Sequence, residues 1–100
     1  MKSLKFGVVG NPIRHSRSPE IHHNFADQQK IKISFGKYLV DEEDFENFVK
    51  DFFKSGVGLS VTLPFKKLAL KFSNDSSTKA QMIGASNNLY KKSDIIVGDN

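Results

Sequence analysis

The sequence contains no cysteine and no tryptophan in its 100 residues. Without cysteine the chain can form no disulfide, and it offers neither a thiol nucleophile nor a thiolate ligand for a metal. No apolar run approaches the roughly 20 residues that a membrane-spanning helix requires. No secretory signal pattern is present either. These absences predict a cytoplasmic protein that has no membrane partner.

The charge pattern does not favour a nucleic-acid partner. Lysine and arginine total 15 against 11 acidic residues, which gives a formal net charge of +4. The lysines are scattered and alternate with acids, as in the stretch 37–54, and no stripe combines basic with aromatic residues. A modest excess of positive charge instead favours an anionic small-molecule substrate. The three histidines, His15, His22 and His23, lack the spacing of metal ligands, so no metal site is predicted.

Apolar periodicities alternate between strand and helix along the chain. In order they predict strand 4–9, helix 19–30, strand 33–40, helix 42–55, strand 58–63, helix 65–72, helix 77–84, strand 87–91 and strand 94–98. This alternation predicts a single α/β domain over residues 1–100, a three-layer α/β/α domain with a mostly parallel mixed sheet. The last two strands predict an antiparallel hairpin at the edge of that sheet.

The helix predicted at 42–55 carries an aromatic stripe. Apolar side chains recur at steps of three and four residues, at Phe45, Phe48, Val49, Phe52 and Phe53. A stripe of this kind is the core-facing side of an amphipathic helix. We therefore expect the phenylalanines to cover one face of the sheet, not to hold a cofactor.

The most informative segment is Ser60-Val61-Thr62-Leu63-Pro64-Phe65-Lys66. Pro64 cannot continue a central strand, so it predicts the end of that strand and a turn, with a helix beginning directly afterwards. Thr62 and Lys66 would then lie at a strand-to-helix junction, the rim where open α/β sheets hold ligands. An ammonium in that place can clamp an anion or donate a proton to a polarised carbonyl, although most lysines at helix starts are merely solvated.

A second segment, Gly10-Asn11-Pro12-Ile13-Arg14-His15-Ser16-Arg17-Ser18-Pro19, follows the first predicted strand. Ser18 before Pro19 is typical of a helix N-cap. With Ser16 and the free amides of a helix start, it forms a neutral cluster of donors suited to a carboxylate. Taken by itself, Ser18 is more often only a cap.

A third segment, Gly84-Ala85-Ser86-Asn87-Asn88, runs from a helix end into a strand. Gly84 is typical of the residue that ends a helix. The amides of Asn87 and Asn88 can both donate and accept hydrogen bonds, which suits ligand hydroxyl groups, but asparagine is also an ordinary turn residue.

Taken together, these segments resemble the N-terminal substrate-binding domain of shikimate dehydrogenase. The motifs stand in that family's order: Gly-Asn-Pro-Ile-x-His-Ser-x-Ser-Pro, then Val-Thr-x-Pro-x-Lys, then Gly-Ala-x-Asn, then Gly-Asp-Asn. The resemblance extends from Phe6 to Asn100. It implies reversible NADPH-dependent reduction of 3-dehydroshikimate to shikimate, a step of aromatic amino acid (chorismate) biosynthesis.

The resemblance also implies roles for individual residues. Ser16 and Ser18 would bind the substrate carboxylate. Thr62, Lys66 and Asn87 would reach the ring hydroxyls and the reacting carbonyl, and Lys66 would be the catalytic lysine. The alternatives are a quinate-using variant of the enzyme and a non-catalytic module that binds shikimate-like hydroxy acids.

Three departures from the family pattern stand out. Ser60 replaces the usual asparagine, and its shorter side chain would reach the substrate only through water. Asn88 replaces a threonine. The family also continues past Gly98-Asp99-Asn100 with Thr-Asp-Gly, whose aspartate partners the catalytic lysine; Asp99 is one strand end short of that place, so we interpret it as structural.

The sequence predicts no dinucleotide site of its own. Gly7-Val8-Val9-Gly10 lacks the third glycine of the dinucleotide fingerprint, and Pro12 interrupts the helix that should follow. The resemblance implies that NADP is bound mainly by a second domain that this chain lacks. We therefore expect the isolated fragment to be inactive. Its oligomeric state, monomer or homodimer, is left open by the sequence.

Overall fold

The structure, a computed structural model, describes residues 4–11 and 33–100. The strands are β1 (Leu4–Gly10), β2 (Ile33–Leu39), β3 (Gly58–Val61), β4 (Asp75–Ser76), β5 (Asn88–Lys92) and β6 (Ile95–Asp99). The helices are α1 (Phe45–Phe52), which follows a 3-10 turn at Glu42–Asp44, α2 (Lys66–Phe72) and α3 (Thr78–Ile83). The helix predicted at 19–30 lies outside the described residues. No helix in the described ranges is both long and apolar enough to cross a membrane.

The described strands form one mixed sheet of six strands in the order β2-β1-β3-β5-β6-β4. The pairs β1–β2, β1–β3 and β4–β6 are parallel, whereas β3–β5 and β5–β6 are antiparallel. The α/β class with a mostly parallel mixed sheet is therefore confirmed. The predicted β5–β6 hairpin forms, but the short strand β4, which the sequence analysis did not predict, pairs outside it.

The core lies between one face of the sheet and helices α1 and α2. Phe45 of α1 and Phe65, which precedes α2, are both fully buried, and their rings stack with centroids 4.7 Å apart. Val9 of β1, Leu59 of β3 and Leu89 of β5 belong to the same buried cluster. Three neighbouring strands thus present apolar side chains to the same two helices, which holds the sheet and the helices in one unit.

Helix α1 is shorter than the predicted helix 42–55. After its last residue the hydrogen bonds change to the 3-10 type, because the amides of Lys54 and Ser55 donate to carbonyls three residues earlier, at 3.2 and 3.3 Å. Four of the five stripe residues are buried, which confirms the core-facing side. Phe48 is only half-buried, because its ring lies at the margin beside Tyr38, with centroids 5.1 Å apart.

Candidate functional site

Several chain segments meet at one edge of the sheet. The parallel strands β1 and β3 end there, with Val9 opposite Val61, while β5 begins there and β6 ends there, with Asn88 opposite Asp99. The amide of Thr62 donates to the Val9 carbonyl at 3.0 Å, which ties the residue after β3 to the end of β1. Carboxyl ends of parallel strands are where open α/β sheets bind ligands.

A tight turn connects β3 to α2. The Phe65 amide donates to the Thr62 carbonyl at 3.1 Å, and the Leu63–Pro64 peptide bond is cis, as in a type VI turn. The predicted turn at Pro64 forms, but the strand ends earlier than predicted, at Val61, and the turn begins at Thr62. Lys66 is the first residue of α2, so it stands at the strand-to-helix junction that the sequence predicted.

Lys66 is half-buried and its backbone is anchored to a distant segment. Its carbonyl accepts a hydrogen bond from the amide of Ser86 at 2.9 Å. Within residues 4–11 and 33–100, its ammonium group makes no hydrogen bond or ion pair. The cation is thus held at the rim by its backbone, while its charged end is available to a ligand.

Asn87 reaches the same edge from the other direction. Helix α3 ends at Gly84, whose φ of 78° is the left-handed conformation that glycine adopts readily, as the sequence predicted. The Asn87 carbonyl accepts from the Val61 amide at 2.8 Å, and its own amide donates to the Asp99 carbonyl at 3.0 Å. Asn87 is therefore fixed between the end of β3 and the end of β6.

The side chains of Asn87 and Asn88 bond to each other. The Nδ2 group of Asn88 donates to Oδ1 of Asn87 at 3.0 Å. This bond uses one of the two lone pairs of the Asn87 Oδ1 atom and fixes the orientation of the amide, so that its Nδ2 group remains available to donate. Asn87 can therefore offer hydrogen atoms to a ligand oxygen.

Ser60 lies within β3, opposite Asn88, and is half-buried. It lines an open hollow of about 310 Å³, whose wall also includes Phe6, Phe35, Gly58, Asn88, Tyr90 and Asp99. Ser60 thus belongs to the strand that leads to Thr62, two residues before the turn.

Asp99 is engaged within the fold. The pKa of Asp99 is lowered below its ordinary value, chiefly because the Ser77 hydroxyl donates to its carboxylate. The backbone amide of Asn100 and the positive charge of Lys79 lower it further, whereas desolvation raises it. The Ser77 oxygen also accepts from the Ala80 amide at 3.1 Å, as the N-cap of α3. This geometry agrees with our interpretation of Asp99 as structural.

Sequence reasoning did not single out Ser86. In the part of the chain that the structure describes, it is the one polar residue in the fully buried core, at 0% exposure. Its hydroxyl lies 2.7 Å from the Asn88 carbonyl oxygen and 2.8 Å from that of Asp99. A serine between a helix and a strand is an ordinary loop residue, so the single sequence contains no signal for this role.

The predicted carboxylate ligands Ser16 and Ser18 lie outside the described residues, and so do the three histidines. Among the residues that are described, the carboxylate oxygens of Asp41, Glu43 and Asp44 lie within 4.8 Å of one another. All three side chains are exposed, and exposed acidic groups commonly lie close together without a metal.

The described residues do not fit a dinucleotide. A dinucleotide fold needs free backbone amides at the turn after its first strand. Here the amide of Asn11, which directly follows β1, already donates to the Leu63 carbonyl at 2.9 Å. This bond agrees with the expectation that the glycine pair at the end of β1 is not a cofactor fingerprint.

Comparison with known families agrees with this geometry. A model of the shikimate dehydrogenase substrate-binding domain matches residues 8–89, well over half of the chain. The chain belongs to this family. The matched range of this shikimate dehydrogenase substrate-binding domain includes Thr62, Lys66 and Asn87.

The curated proteins that resemble this domain carry the name of a whole enzyme, shikimate dehydrogenase (NADP(+)). The shikimate dehydrogenase (NADP(+)) of Colwellia psychrerythraea is 45% identical over 97 residues, which cover 96% of this chain and 35% of that protein. The chain therefore spans about a third of the length of the curated relatives that it matches. The shared part corresponds to a substrate-binding domain and leaves most of each relative unmatched.

Solved structures show the same fold. A shikimate 5-dehydrogenase from Mycobacterium fortuitum superposes with a TM-score of 0.94 and 31% identity, covering 100% of this chain and 38% of that one. The shikimate 5-dehydrogenase of Thermus thermophilus, solved in complex with NADP(H) and shikimate, has a TM-score of 0.93 and 30% identity, covering 97% of this chain and 37% of that one.

Proposed function

We propose that this chain is the substrate-binding domain of an NADP-dependent shikimate dehydrogenase, which binds shikimate and 3-dehydroshikimate. The observation that carries the proposal is the meeting of Thr62, Lys66 and Asn87 at one sheet edge. Two backbone hydrogen bonds hold them there, from Val61 to Asn87 at 2.8 Å and from Ser86 to Lys66 at 2.9 Å.

Each of these side chains suits one part of a polyhydroxylated acid. The Thr62 hydroxyl can donate or accept, and the Asn87 amide is left to donate, so both can bind ring oxygens. The Lys66 ammonium can bind an oxygen that carries negative charge. In this proposal Ser16 and Ser18 bind the substrate carboxylate, and Ser60 contributes through water.

Lys66 is the proposed catalytic residue. Reduction of a ketone builds negative charge on the carbonyl oxygen, and an ammonium group beside that oxygen stabilises the charge and then transfers its proton to it. In the reverse direction the neutral amine takes the proton back. The ammonium has no partner among the described residues, so it is available for this transfer.

The complete enzyme, in this proposal, binds NADP mainly in a second domain. Two observations support this division. The described residues do not fit a dinucleotide at the end of β1, where Asn11 is already bonded. The chain also spans only 35% of a relative that is named NADP(+)-dependent. We place the complete enzyme in the cytoplasm, as the sequence predicts, and cell fractionation tests that placement.

Calorimetric titration of the purified chain with shikimate tests the binding proposal. We expect saturable binding, which Asn87→Ala weakens and Asn47→Ala, at an exposed position on α1, leaves unchanged. A parallel titration with quinate tests the alternative substrate, because tighter binding of quinate would favour the quinate-using variant. Absence of any shikimate binding by the folded chain would contradict the proposal.

A turnover assay tests the division of labour. We expect no NADP-dependent oxidation of shikimate by residues 1–100 alone, and we expect turnover from the complete enzyme. Turnover by the purified 100-residue chain, free of any longer enzyme, would contradict the assignment of the cofactor to a second domain. Binding without turnover in the complete enzyme would instead favour the non-catalytic module.

A further inference from the structure

Ser86 occupies a position where a buried hydroxyl has to be satisfied. Ser86 is 0% exposed, and burying a hydroxyl away from water costs free energy unless it is hydrogen-bonded. Two backbone carbonyls satisfy it, those of Asn88 at 2.7 Å and Asp99 at 2.8 Å. The single hydroxyl hydrogen is thereby shared between the first residue of β5 and the last residue of β6.

The backbone of Ser86 makes a third connection. Its amide donates to the carbonyl of Lys66 at the start of α2. The same residue therefore joins α2 to the ends of two strands. The residue that follows it is Asn87, whose amide donates to the same Asp99 carbonyl that accepts from the Ser86 hydroxyl.

Packing around Ser86 leaves little freedom. A Cβ atom placed on Gly98 would lie 3.1 Å from the Ser86 Oγ and 3.2 Å from the Oγ of Ser73. The hydroxyl is thus pressed against the backbone of β6, and a displacement of Ser86 would move the bonded ends of β5 and β6 with it. Its position determines where Asn87 stands.

We propose that Ser86 is a positioning residue, whose buried hydroxyl holds the backbone of Asn87 at a set distance from Lys66. It acts through these two residues and does not touch the substrate. The inference rests on the proposed function for its effect on shikimate binding, but its effect on the backbone of Asn87 is independent of any ligand.

The test compares Ser86→Thr with Ser86→Val, two side chains of nearly the same shape of which only the first keeps the hydroxyl. Ser86→Ala is added because it introduces no extra volume. The matched control is Ser73→Ala, which removes the neighbouring hydroxyl, whose hydrogen bond goes to the Leu70 carbonyl at 2.6 Å and not to Asn87 or the strand ends. All variants are studied in the full chain at a temperature well below unfolding.

The first readout is amide hydrogen exchange at Val61 and Asn87, whose amides flank the site. We expect exchange in Ser86→Val and Ser86→Ala to be about threefold to tenfold faster than in the wild type, the range that one hydrogen bond produces. Ser86→Thr should exchange more slowly than Ser86→Val, because both add the same volume and only the first keeps the hydroxyl, and Ser73→Ala should leave the wild-type rate unchanged. Equal rates in Ser86→Ala and Ser73→Ala would overturn the proposal.

The second readout is shikimate affinity by calorimetry, together with KM and kcat in the complete enzyme. We expect Kd and KM to rise by a similar factor in Ser86→Val and Ser86→Ala, to rise less in Ser86→Thr than in Ser86→Val, and to stay unchanged in Ser73→Ala. A purely structural role would lower thermal stability and leave these constants unchanged, which would overturn the positioning role. If the wild-type chain bound no shikimate, the proposed function would fail, while the exchange rates would still decide the role of Ser86.

Discussion

The side-chain amide of Asn88 donates to Oδ1 of Asn87 at 3.0 Å. The bond fixes the orientation of the Asn87 amide, with one lone pair of Oδ1 occupied and the Nδ2 group available to donate to a ligand. Asn88 stands where the resemblance implies a threonine. A substitution at Asn88, which is not itself a proposed substrate ligand, can therefore change the orientation of the Asn87 amide.

We predict that Asn88→Asp weakens shikimate binding more than Asn88→Ala does. A carboxylate only accepts hydrogen bonds, so Asn87 would have to turn its Nδ2 group away from the ligand. Asn88→Ala removes the bond without reversing it, and the expected loss is about twofold to threefold, at the weak end for one hydrogen bond. Calorimetry at low and high salt separates the amide effect from charge repulsion, which salt screens. If the difference between the two variants vanished at high salt, the orientation argument would be wrong.

We predict that Lys66→Met lowers the turnover of the complete enzyme by roughly two to four orders of magnitude, the contribution of one general acid–base group. Shikimate affinity should fall much less, because the other proposed ligands remain. Steady-state kinetics and a direct measurement of Kd separate the two effects. Lys67→Met, at the exposed neighbouring position, is the matched control and should retain turnover. A variant of Lys66 that kept its turnover and lost only affinity would make Lys66 an anion clamp.

We predict that Ser16→Ala weakens shikimate binding by about 1–2 kcal/mol, near the lower part of the range for a hydrogen bond to a charged group. Ser18→Ala is a less clean probe, because it would also remove the predicted cap of the helix at 19–30. Titration with a shikimate analogue that lacks the carboxylate is the control, and the substitution should not affect it. Equal shikimate affinity of wild type and Ser16→Ala would exclude the carboxylate role.

We predict that Phe45→Ala lowers the free energy of unfolding by about 3–5 kcal/mol, the usual cost of removing a buried aromatic ring. Phe45 is fully buried and stacks on Phe65. Phe48→Ala should cost clearly less, because Phe48 is only half-buried beside Tyr38. Urea unfolding followed by circular dichroism measures both. A larger loss for Phe48 than for Phe45 would mean that the core is not centred on the stacked rings of Phe45 and Phe65.

We predict that Asp99 stabilises the fold at neutral pH and loses that effect in acid. Its pKa is lowered in the folded chain, chiefly by the hydroxyl of Ser77. A group with a lowered pKa contributes stability above the pKa of the unfolded chain, about 3.9 for aspartate, and this contribution is lost as the pH falls through the folded pKa. Asp99→Asn should therefore be less stable than the wild type at pH 7, and the difference should shrink below pH about 4. Asp94→Asn controls for the loss of one charge, and a pH-independent difference for Asp99→Asn would contradict the prediction.

Much of the fold could be predicted because its signals are local. Apolar runs located β1, β2 and β3 to within two residues, and Pro64 and Gly84 marked a turn and a helix end. Strand β4 could not be predicted, since its two residues have no apolar pattern. It forms through partners far along the chain: the Asn74 amide donates to the Ile96 carbonyl at 2.7 Å, and the Asn74 side chain accepts from the Ile96 amide at 2.8 Å.

The residue types of the site and their order were determined by the sequence: a hydroxyl, a proline and a cation after one strand, and an amide before another. Periodicity and turn chemistry act between neighbours in the chain, so they are readable there. That Asn87 lies beside the end of β3, and that Ser86 joins it to Lys66, was decided only by the tertiary structure. These contacts depend on the antiparallel pairing of β3 with β5. That pairing orders residues far apart in the chain, and the entropic cost is offset by buried hydrogen bonds and apolar contacts that no local segment contains.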